Sequence, residues 1–174
     1  MVFSRAAQNI TGAESPCDDK DEVDVAYNFA GETTTESDFE VTATGGKCHP
    51  ESGWSGQDSI STVDFKPLGS GALAQTCHNF SGSAIVEADV RLNDNSPWTF
   101  YPSGSACESA KAYDIESVLT HEFGHVYGLA DLNIDDTSTT QGSFYQTMNS
   151  GLPKCTKFQR TLAAGELTAL RYLY

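Results

Sequence analysis

Two histidines and a glutamate in the second half of the chain have the types and the spacing of a metal-dependent hydrolytic site. The segment His121-Glu122-Phe123-Gly124-His125 separates its histidines by four positions, which is about one turn of an α-helix. Both imidazoles then project from one face and can bind the same metal ion. Glu122 can reach a metal-bound water without binding the metal, which is the position of a general base.

A helix end and a third ligand follow in register. Gly128 allows the chain to leave the helix, because glycine enters left-handed backbone conformations at little steric cost. The turn so formed can bring Asp131 to the third coordination position. Two imidazoles and one carboxylate leave a fourth position open for water, which is typical of a catalytic zinc rather than a structural one. The predicted ligands of one catalytic Zn²⁺ are therefore His121, His125 and Asp131.

Two other metal readings of the sequence are weaker. Glu166 could be the distant third ligand of a thermolysin-like site, but that alternative leaves Gly128 and Asp131 without a role. Ca²⁺ could bind the acidic groups, but the chain has no loop with EF-hand spacing, so Ca²⁺ stays unsupported and we interpret these groups as solvated surface. The acidic groups concerned are Asp18, Asp19 and Asp21, and Asp135 and Asp136.

A helix must present the histidines, and the flanking sequence supplies both of its ends. Asp114 has the side chain of a helix N-cap, and apolar residues recur at helical spacing from Ile115 to Tyr127. The same periodicity predicts a first helix over residues 2–11 and a closing helix from Ala163 to Leu173.

Strands are predicted where apolar and polar residues alternate. Residues 31–59 are rich in Thr, Ser, Gly and Glu and predict a long irregular segment. Since the predicted strands precede most of the helices, we expect one α+β domain spanning residues 1–174. The predicted strands are Val23–Phe29, Ser61–Phe65, Ala84–Leu92 and a short edge strand at Pro97–Tyr101.

Composition excludes several classes of protein. The chain has 174 residues, enough for one domain with a sizeable core, and its 24 acidic against 10 basic residues give a net charge of −14. Such a charge repels phosphate backbones and anionic lipid surfaces, so we expect neither a nucleic-acid nor a membrane partner. Five cysteines without a CxxC pair favour disulfides in an oxidising compartment. No signal peptide is visible, so a secreted form would have lost its leader.

The pattern His-Glu-x-x-His-x-x-Gly-x-x-Asp, from His121 to Asp131, resembles that of the metzincin clan of zinc endopeptidases. The segment Asp114–Thr120 that leads into it resembles the active-site helix of matrixins. Leu170–Tyr174 resembles the closing helix of bacterial matrixin-like domains, whereas an aspartate as third ligand is similar to snapalysin. The resemblance is specific from about residue 84 to the end of the sequence.

The resemblance implies a structural role for Met148. Metzincins carry a methionine in a tight turn beneath the zinc, and Met148 within Gln146–Gly151 matches it in type and distance. Cys107 precedes the active-site helix and Cys155 follows that turn, so a compact site would join the two in a disulfide.

The remaining cysteines and histidines complete these expectations. Cys17–Cys48 is the second candidate disulfide, which leaves Cys77 free or bound to something outside this chain. Matrixins also carry a structural zinc held by several histidines. Only His49 and His78 remain for such a site here, so we expect them at the surface and expect no second zinc.

The resemblance implies a secreted, extracellular, monomeric zinc endopeptidase that acts on protein or peptide substrates. It also implies a twisted mixed β-sheet with an active-site helix and a C-terminal helix. The strand that precedes the first helix in the family is either missing here or replaced by Val23–Phe29. Two alternatives stay open: a zinc-bearing binding or adhesion module of the same fold that has lost hydrolysis, and a peptidase-fold domain that acts only within a larger assembly.

Overall fold

The computed structural model of the chain describes residues 2–13, 25–42, 45–48, 58–100, 104–132 and 146–174. These residues fall into two compact units: a first unit of Met1–Phe29 with Pro97–Tyr174, and a second unit of Ala30–Ser96. The described α-helices lie in the first unit and a mixed sheet lies in the second, which confirms the predicted α+β class.

Four α-helices are described in the first unit, and three of them were predicted. The first and last match the predicted ranges to within one residue. The second was missed, because its sequence of small and polar residues carries no apolar periodicity. The helices are α1 (Val2–Thr11), α2 (Gly104–Ala110), α3 (Ile115–Val126) and α4 (Ala164–Leu173). None of the helices in the described part of the chain is long and apolar enough to cross a membrane.

Helix α1 supports α3, the helix that carries both histidines. Its buried residues recur at helical spacing, so that one apolar face of α1 is covered. Arg5 Nε donates to Glu116 Oε2 at 3.1 Å, and Asn9 Nδ2 donates to Thr120 Oγ1 at 3.0 Å. A helix from the start of the sequence therefore fixes one side of α3 by both packing and polar contacts.

The beginning of α3 is fixed by the predicted N-cap. The Asp114 side chain is fully buried and accepts from the Ser117 amide nitrogen at 3.0 Å. Arg160, in a short 3-10 helix (Phe158–Arg160), binds the same carboxylate with two hydrogen bonds of 2.7 Å. An aspartate at this end also faces the positive pole of the helix dipole. The start of α3 is thus held from within the helix and from a segment that follows it by more than forty residues.

The end of α3 is a Schellman motif built on Gly128. Gly128 has a φ of +90°, and its amide nitrogen donates to the His125 carbonyl at 2.7 Å. The Leu129 amide nitrogen donates to the Gly124 carbonyl at 2.9 Å. The predicted exit of the chain at this glycine is confirmed.

The second unit contains a three-stranded sheet of β3 (Val63–Lys66), β5 (Ala84–Asn93) and β4 (Ala74–Ser81), in the order β3-β5-β4. β3 runs parallel to β5 and β4 runs antiparallel to it, so the sheet is mixed as predicted. β5 is central and is buried from Glu87 to Asn93. Arg91 of β5 donates to both carboxylate oxygens of Asp64 on β3 at 3.0 Å, which pairs a buried charge across the two strands.

The strand predictions succeed in part. The predicted strand Ala84–Leu92 is β5, and Ser61–Phe65 is shifted to β3. Pro97–Tyr101 is shortened to β6 (Trp98–Thr99), which runs parallel to β7 (Tyr113–Asp114) in the first unit. The prediction of a wholly irregular 31–59 is wrong, because β1 (Phe39–Thr42) and β2 (Gly45–Cys48) form an antiparallel pair within it. Antiparallel strands pair through backbone hydrogen bonds, so this pair can form without an apolar sequence pattern.

The predicted strand Val23–Phe29 is wrong over its described part, residues 25–29, which forms no strand. The alternation instead reflects side-chain packing: Tyr27 lies against Phe123 with ring centroids 6.5 Å apart. The Ala26 carbonyl accepts from the Tyr127 hydroxyl at 3.3 Å. The contacts of Tyr27 and Ala26 are therefore with side chains of α3 and its C-terminal end, and not with the backbone of a neighbouring strand.

The predicted Cys107–Cys155 disulfide is present, with Cα atoms 5.8 Å apart. It joins α2 to the segment that follows Met148. Cys77, in β4, is also disulfide-bonded, so the expectation of a free Cys77 is wrong. The predicted Cys17–Cys48 pair lies outside the side chains that the structure describes.

Candidate functional site

Three side chains of the first unit converge with their metal-binding atoms facing one another. His121 Nε2 and His125 Nε2 lie 3.1 Å apart, and Asp131 Oδ1 lies 3.3 Å and 3.5 Å from them. Zinc binds nitrogen and oxygen ligands at about 2.0–2.1 Å, so ligand atoms around a tetrahedral ion stand about 3.3–3.4 Å apart. The spacing and the donor types therefore fit one zinc ion held by the residues that the sequence predicts.

The tautomer of each histidine is set by a backbone carbonyl. His121 Nδ1 lies 2.8 Å from the Thr147 carbonyl oxygen, and His125 Nδ1 lies 2.8 Å from that of Leu129. Because a carbonyl oxygen can only accept, each Nδ1 carries the hydrogen and each Nε2 presents a lone pair. Two lone pairs facing each other at 3.1 Å repel, and a cation between them removes the repulsion.

The charges around the site also favour a cation. Burial opposes protonation of His121, but the hydrogen bond that its protonated ring can donate to Asp131 and the negative charge of Glu122 outweigh burial and raise the pKa of His121. The same hydrogen bond to protonated His121 lowers the pKa of Asp131, although partial burial acts in the opposite direction. The site thus stabilises positive charge at the point where the three donor atoms meet.

The site is open on one side and closed on the other. The side chains of His121 and His125 are 14% and 17% exposed, and that of Asp131 is 44% exposed, so all three side chains are partly accessible to solvent. Glu122, next to His121 on α3, is buried. A buried carboxylate whose charge acts on a ligand suits a group that exchanges protons beside the metal.

Met148 lies directly beneath α3, and this contact requires a glycine. Met148 is 1% exposed, and a Cβ added at Gly124 would stand 2.3 Å from its Sδ atom. Gly124 lies between the two histidines of the motif, yet sequence reasoning gave it no role. The sequence does carry a signal for a special role of Gly124, because glycine within a helix is less favourable than alanine by about 1 kcal/mol.

The turn around Met148 contacts two parts of the candidate site through two consecutive carbonyls. The Thr147 carbonyl binds His121, and the Met148 carbonyl accepts from the Leu132 amide nitrogen at 2.7 Å. Leu132 follows Asp131 directly and forms a parallel bridge with Asn149. A single turn therefore positions His121 of α3 and the chain next to Asp131.

Comparison with protein-family models matches residues 22–151 to matrixin, which is 130 of the 174 residues. The chain belongs to the matrixin family. The matched range contains the three converging side chains, Glu122 and Met148, and the predicted resemblance to matrixins is confirmed. Matrixins are metallopeptidases and are typically extracellular. No curated protein sequence matches the chain.

Glu166, the alternative third ligand of a thermolysin-like site, makes other contacts in this matrixin. Its Oε1 accepts from the Met148 amide nitrogen at 2.5 Å, and its Oε2 accepts from the Ala163 amide nitrogen at 2.6 Å. Both oxygens are therefore engaged, and the side chain is buried. Glu166 connects the first turn of α4 to the turn around Met148.

Of the other predicted metal-binding candidates, only His78 lies within the described residues. His78 is half-buried in β4, with its ring 5.8 Å from that of Phe80. His49 and the acidic groups at 18–21 and 135–136 lie outside the described residues.

A group of carboxylates in the second unit was not predicted. Oxygens of Asp38, Asp58 and Glu87 lie within 4.8 Å of one another. The neighbouring Asp89 accepts from the amide nitrogens of Asp38 and Thr62, at 2.7 Å and 2.8 Å. Burial, together with the charges of Asp38 and Glu87, raises the pKa of Asp89 to about 6 against these two hydrogen bonds.

Proposed function

We propose that this matrixin is a secreted zinc-dependent endopeptidase, in which residues 1–174 act as one catalytic domain and as a monomer on protein or peptide substrates. The observation that carries the proposal is the triangle of His121 Nε2, His125 Nε2 and Asp131 Oδ1, with sides of 3.1–3.5 Å. Its dimensions and its two fixed tautomers suit a zinc ion with a position left open to solvent.

Each residue of the site has a distinct part in the proposed hydrolysis. His121, His125 and Asp131 would hold the zinc ion, which would supply a Lewis acid and lower the pKa of a water bound to it towards about 7. The Glu122 carboxylate takes a proton from the attacking water and delivers it to the leaving amine. The carbonyls of Thr147 and Leu129 keep the imidazoles from rotating, so the ligand atoms stay in place through the reaction.

The test is a conservative change at Glu122 with a matched change elsewhere. Glu122→Gln keeps the size of the side chain and removes its ability to take a proton. We expect peptide hydrolysis to fall by roughly 10²–10⁴-fold or more, while elemental analysis still finds one zinc per chain. Glu108→Gln is the control, because it makes the same chemical change on the exposed surface of α2 and should leave both readouts unchanged.

The outcomes separate the proposal from its alternatives. A wild-type protein that holds one zinc but cleaves no peptide in a broad substrate set would indicate a binding module of the same fold. A wild-type protein without bound zinc would contradict the metal assignment itself. Near-normal hydrolysis by Glu122→Gln would contradict the proposed proton transfer.

A further inference from the structure

Gln159 is a buried amide that the proposed hydrolysis does not use. It lies in the 3-10 helix Phe158–Arg160 and is 1% exposed. Its Nε2 atom lies within hydrogen-bond distance of three backbone carbonyls, at 2.8 Å, 3.2 Å and 3.4 Å. These carbonyls belong to Asn149, Gln146 and Gly151, which lie on both sides of Met148.

The segment that Gln159 holds is the one that positions the ligands. Between the held carbonyls lie those of Thr147 and Met148, which bind the His121 imidazole and the Leu132 amide nitrogen. A shift of this turn would therefore move His121 and the chain next to Asp131 together. His125 is held by Leu129 instead and would be less affected.

The backbone next to Gln159 is tied to the start of α3 through Arg160. Arg160, the next residue, binds the Asp114 carboxylate with two hydrogen bonds and also lies 3.2 Å from Glu116. α3 carries both histidine ligands, and the turn around Met148 positions His121 and the chain next to Asp131. The 3-10 helix is bonded to both, so it fixes the position of the turn relative to α3.

We propose that Gln159 is a positioning residue of the metal site, which sets the affinity for the metal by holding the carbonyls of the turn around Met148. The inference rests on the proposed zinc site. It concerns the affinity for Zn²⁺ and not only activity. Loss of partners that orient metal ligands typically weakens metal binding by about 10–100-fold, and we expect Gln159 to fall in this range.

The test compares two near-isosteric replacements of buried amides by apolar side chains. Gln159→Met removes the donors that hold the turn. Asn93→Leu is the matched control, because Asn93 is a buried amide in the second unit that donates to the carbonyls of Leu68 and Ala72. For each variant, Zn²⁺ affinity is measured by competition with a chromophoric chelator, and thermal stability is measured on the metal-free protein.

We expect both variants to lose thermal stability and only Gln159→Met to bind Zn²⁺ at least about 10-fold more weakly. The visible spectrum of the Co²⁺-loaded protein should change in the same variant. Equal Zn²⁺ affinity in Gln159→Met and wild type, with reduced stability, would overturn the inference and leave the proposed function intact. A wild-type chain that binds no zinc would overturn both.

If Gln159→Met does not fold, Gln159→Asn replaces it. This variant keeps the amide but withdraws it by one methylene, so the hydrogen bonds are weakened rather than removed. A smaller loss of Zn²⁺ affinity, at a temperature where the variant is fully folded, supports the inference. Unchanged affinity in that variant contradicts it.

Discussion

The carbonyl oxygen of Thr147 lies 2.8 Å from Nδ1 of His121, a residue that precedes it by 26 positions. This hydrogen bond fixes the ring and leaves Nε2 for the metal. The Thr147 hydroxyl donates in turn to the Thr161 carbonyl at 2.7 Å, and Thr147 is fully buried. The geometry of a ligand on α3 thus depends on a residue whose own position is set by the segment before α4.

Removing the carboxylate ligand tests the metal set directly. We expect Asp131→Ala to weaken Zn²⁺ binding by more than the roughly 10–100-fold that loss of an orienting partner costs, with activity falling in parallel. Asp131→His should retain much of both, because an imidazole supplies the same kind of donor atom. Competition with a chelator provides the affinities, and an unchanged affinity in Asp131→Ala would place the third ligand elsewhere.

The contact between Gly124 and Met148 predicts a strongly coupled double mutant. Gly124→Ala would drive a methyl group into Met148 and cost about 1–3 kcal/mol, and Met148→Ala would open a cavity costing about 2–5 kcal/mol. In the double mutant the new methyl group takes up part of that cavity, so the total should fall short of the sum by about 0.5–3 kcal/mol. Denaturant unfolding of the zinc-loaded proteins measures all four corners of the cycle.

The control for this cycle is Gly165→Ala in α4. A Cβ added at Gly165 meets nothing within 4 Å, so this change should stabilise the protein by up to about 1 kcal/mol. Simple additivity of Gly124→Ala and Met148→Ala would show that the two residues do not share the space that the structure gives them.

Helix ends were predictable in this chain because their causes are local. Asp114 and Gly128 act on residues within five positions, so each could be recognised from the sequence alone. β4 could not be recognised in this way, because its polar sequence becomes a strand only by pairing with β5. The segment around Tyr27 is the opposite case. Its alternating pattern is typical of a strand, but Tyr27 contacts the side chain of Phe123 in α3 and not a neighbouring strand.

The candidate site also combines local features, which the sequence predicts, with contacts between distant residues, which it does not. The three donor residues lie within eleven positions and have a recognisable spacing. Leu129, which holds His125, lies within the motif, but the groups around the turn at Met148, namely Thr147, Gln159 and Glu166, lie 16 to 35 residues beyond Asp131, and nothing in their spacing relates them to a histidine. Only the folded chain brings these carbonyls and carboxylates to the turn around Met148.

Asp89 predicts a pH-dependent stability with a definite direction. Its pKa of about 6 in the folded chain exceeds the value of about 3.9 expected in the unfolded chain, so the folded state binds the proton more tightly. The stabilisation is present below about pH 4 and is lost as the pH rises through about 6. Relative to Asp89→Asn, which does not titrate, the wild type should lose about 2 kcal/mol between pH 4 and 7.

The measurement for Asp89 is chemical denaturation of both proteins at a series of pH values and one zinc concentration. Asp94→Asn is the control, because it makes the same chemical change at an exposed position just after β5. A difference between wild type and Asp89→Asn that stays constant from pH 4 to 7 would contradict the expectation.

The Cys107–Cys155 disulfide predicts a large loss of stability on its removal. The bridge closes a loop with a sequence separation of 48, which is worth about 4 kcal/mol in the chain-entropy model. Replacing both cysteines by alanine should therefore lower the free energy of unfolding by about this amount. The backbone hydrogen bond from Cys155 to the Ala112 carbonyl, at 3.0 Å, can still form in the variant. Calorimetry that finds an unchanged Tm would show that the bridge constrains the unfolded chain very little.

The first unit is assembled from both ends of the sequence, and this has a consequence for the order of folding. The hydrogen bond from Arg5 to Glu116 spans 111 positions, whereas the second unit is one continuous stretch, Ala30–Ser96. Closing so long a loop costs entropy before its contacts repay it. During synthesis, α1 therefore cannot pack against α3 until α3 has been made, while β4 and β5 can pair as neighbours in the chain. We expect the first unit, which carries the candidate metal site, to form after the second unit.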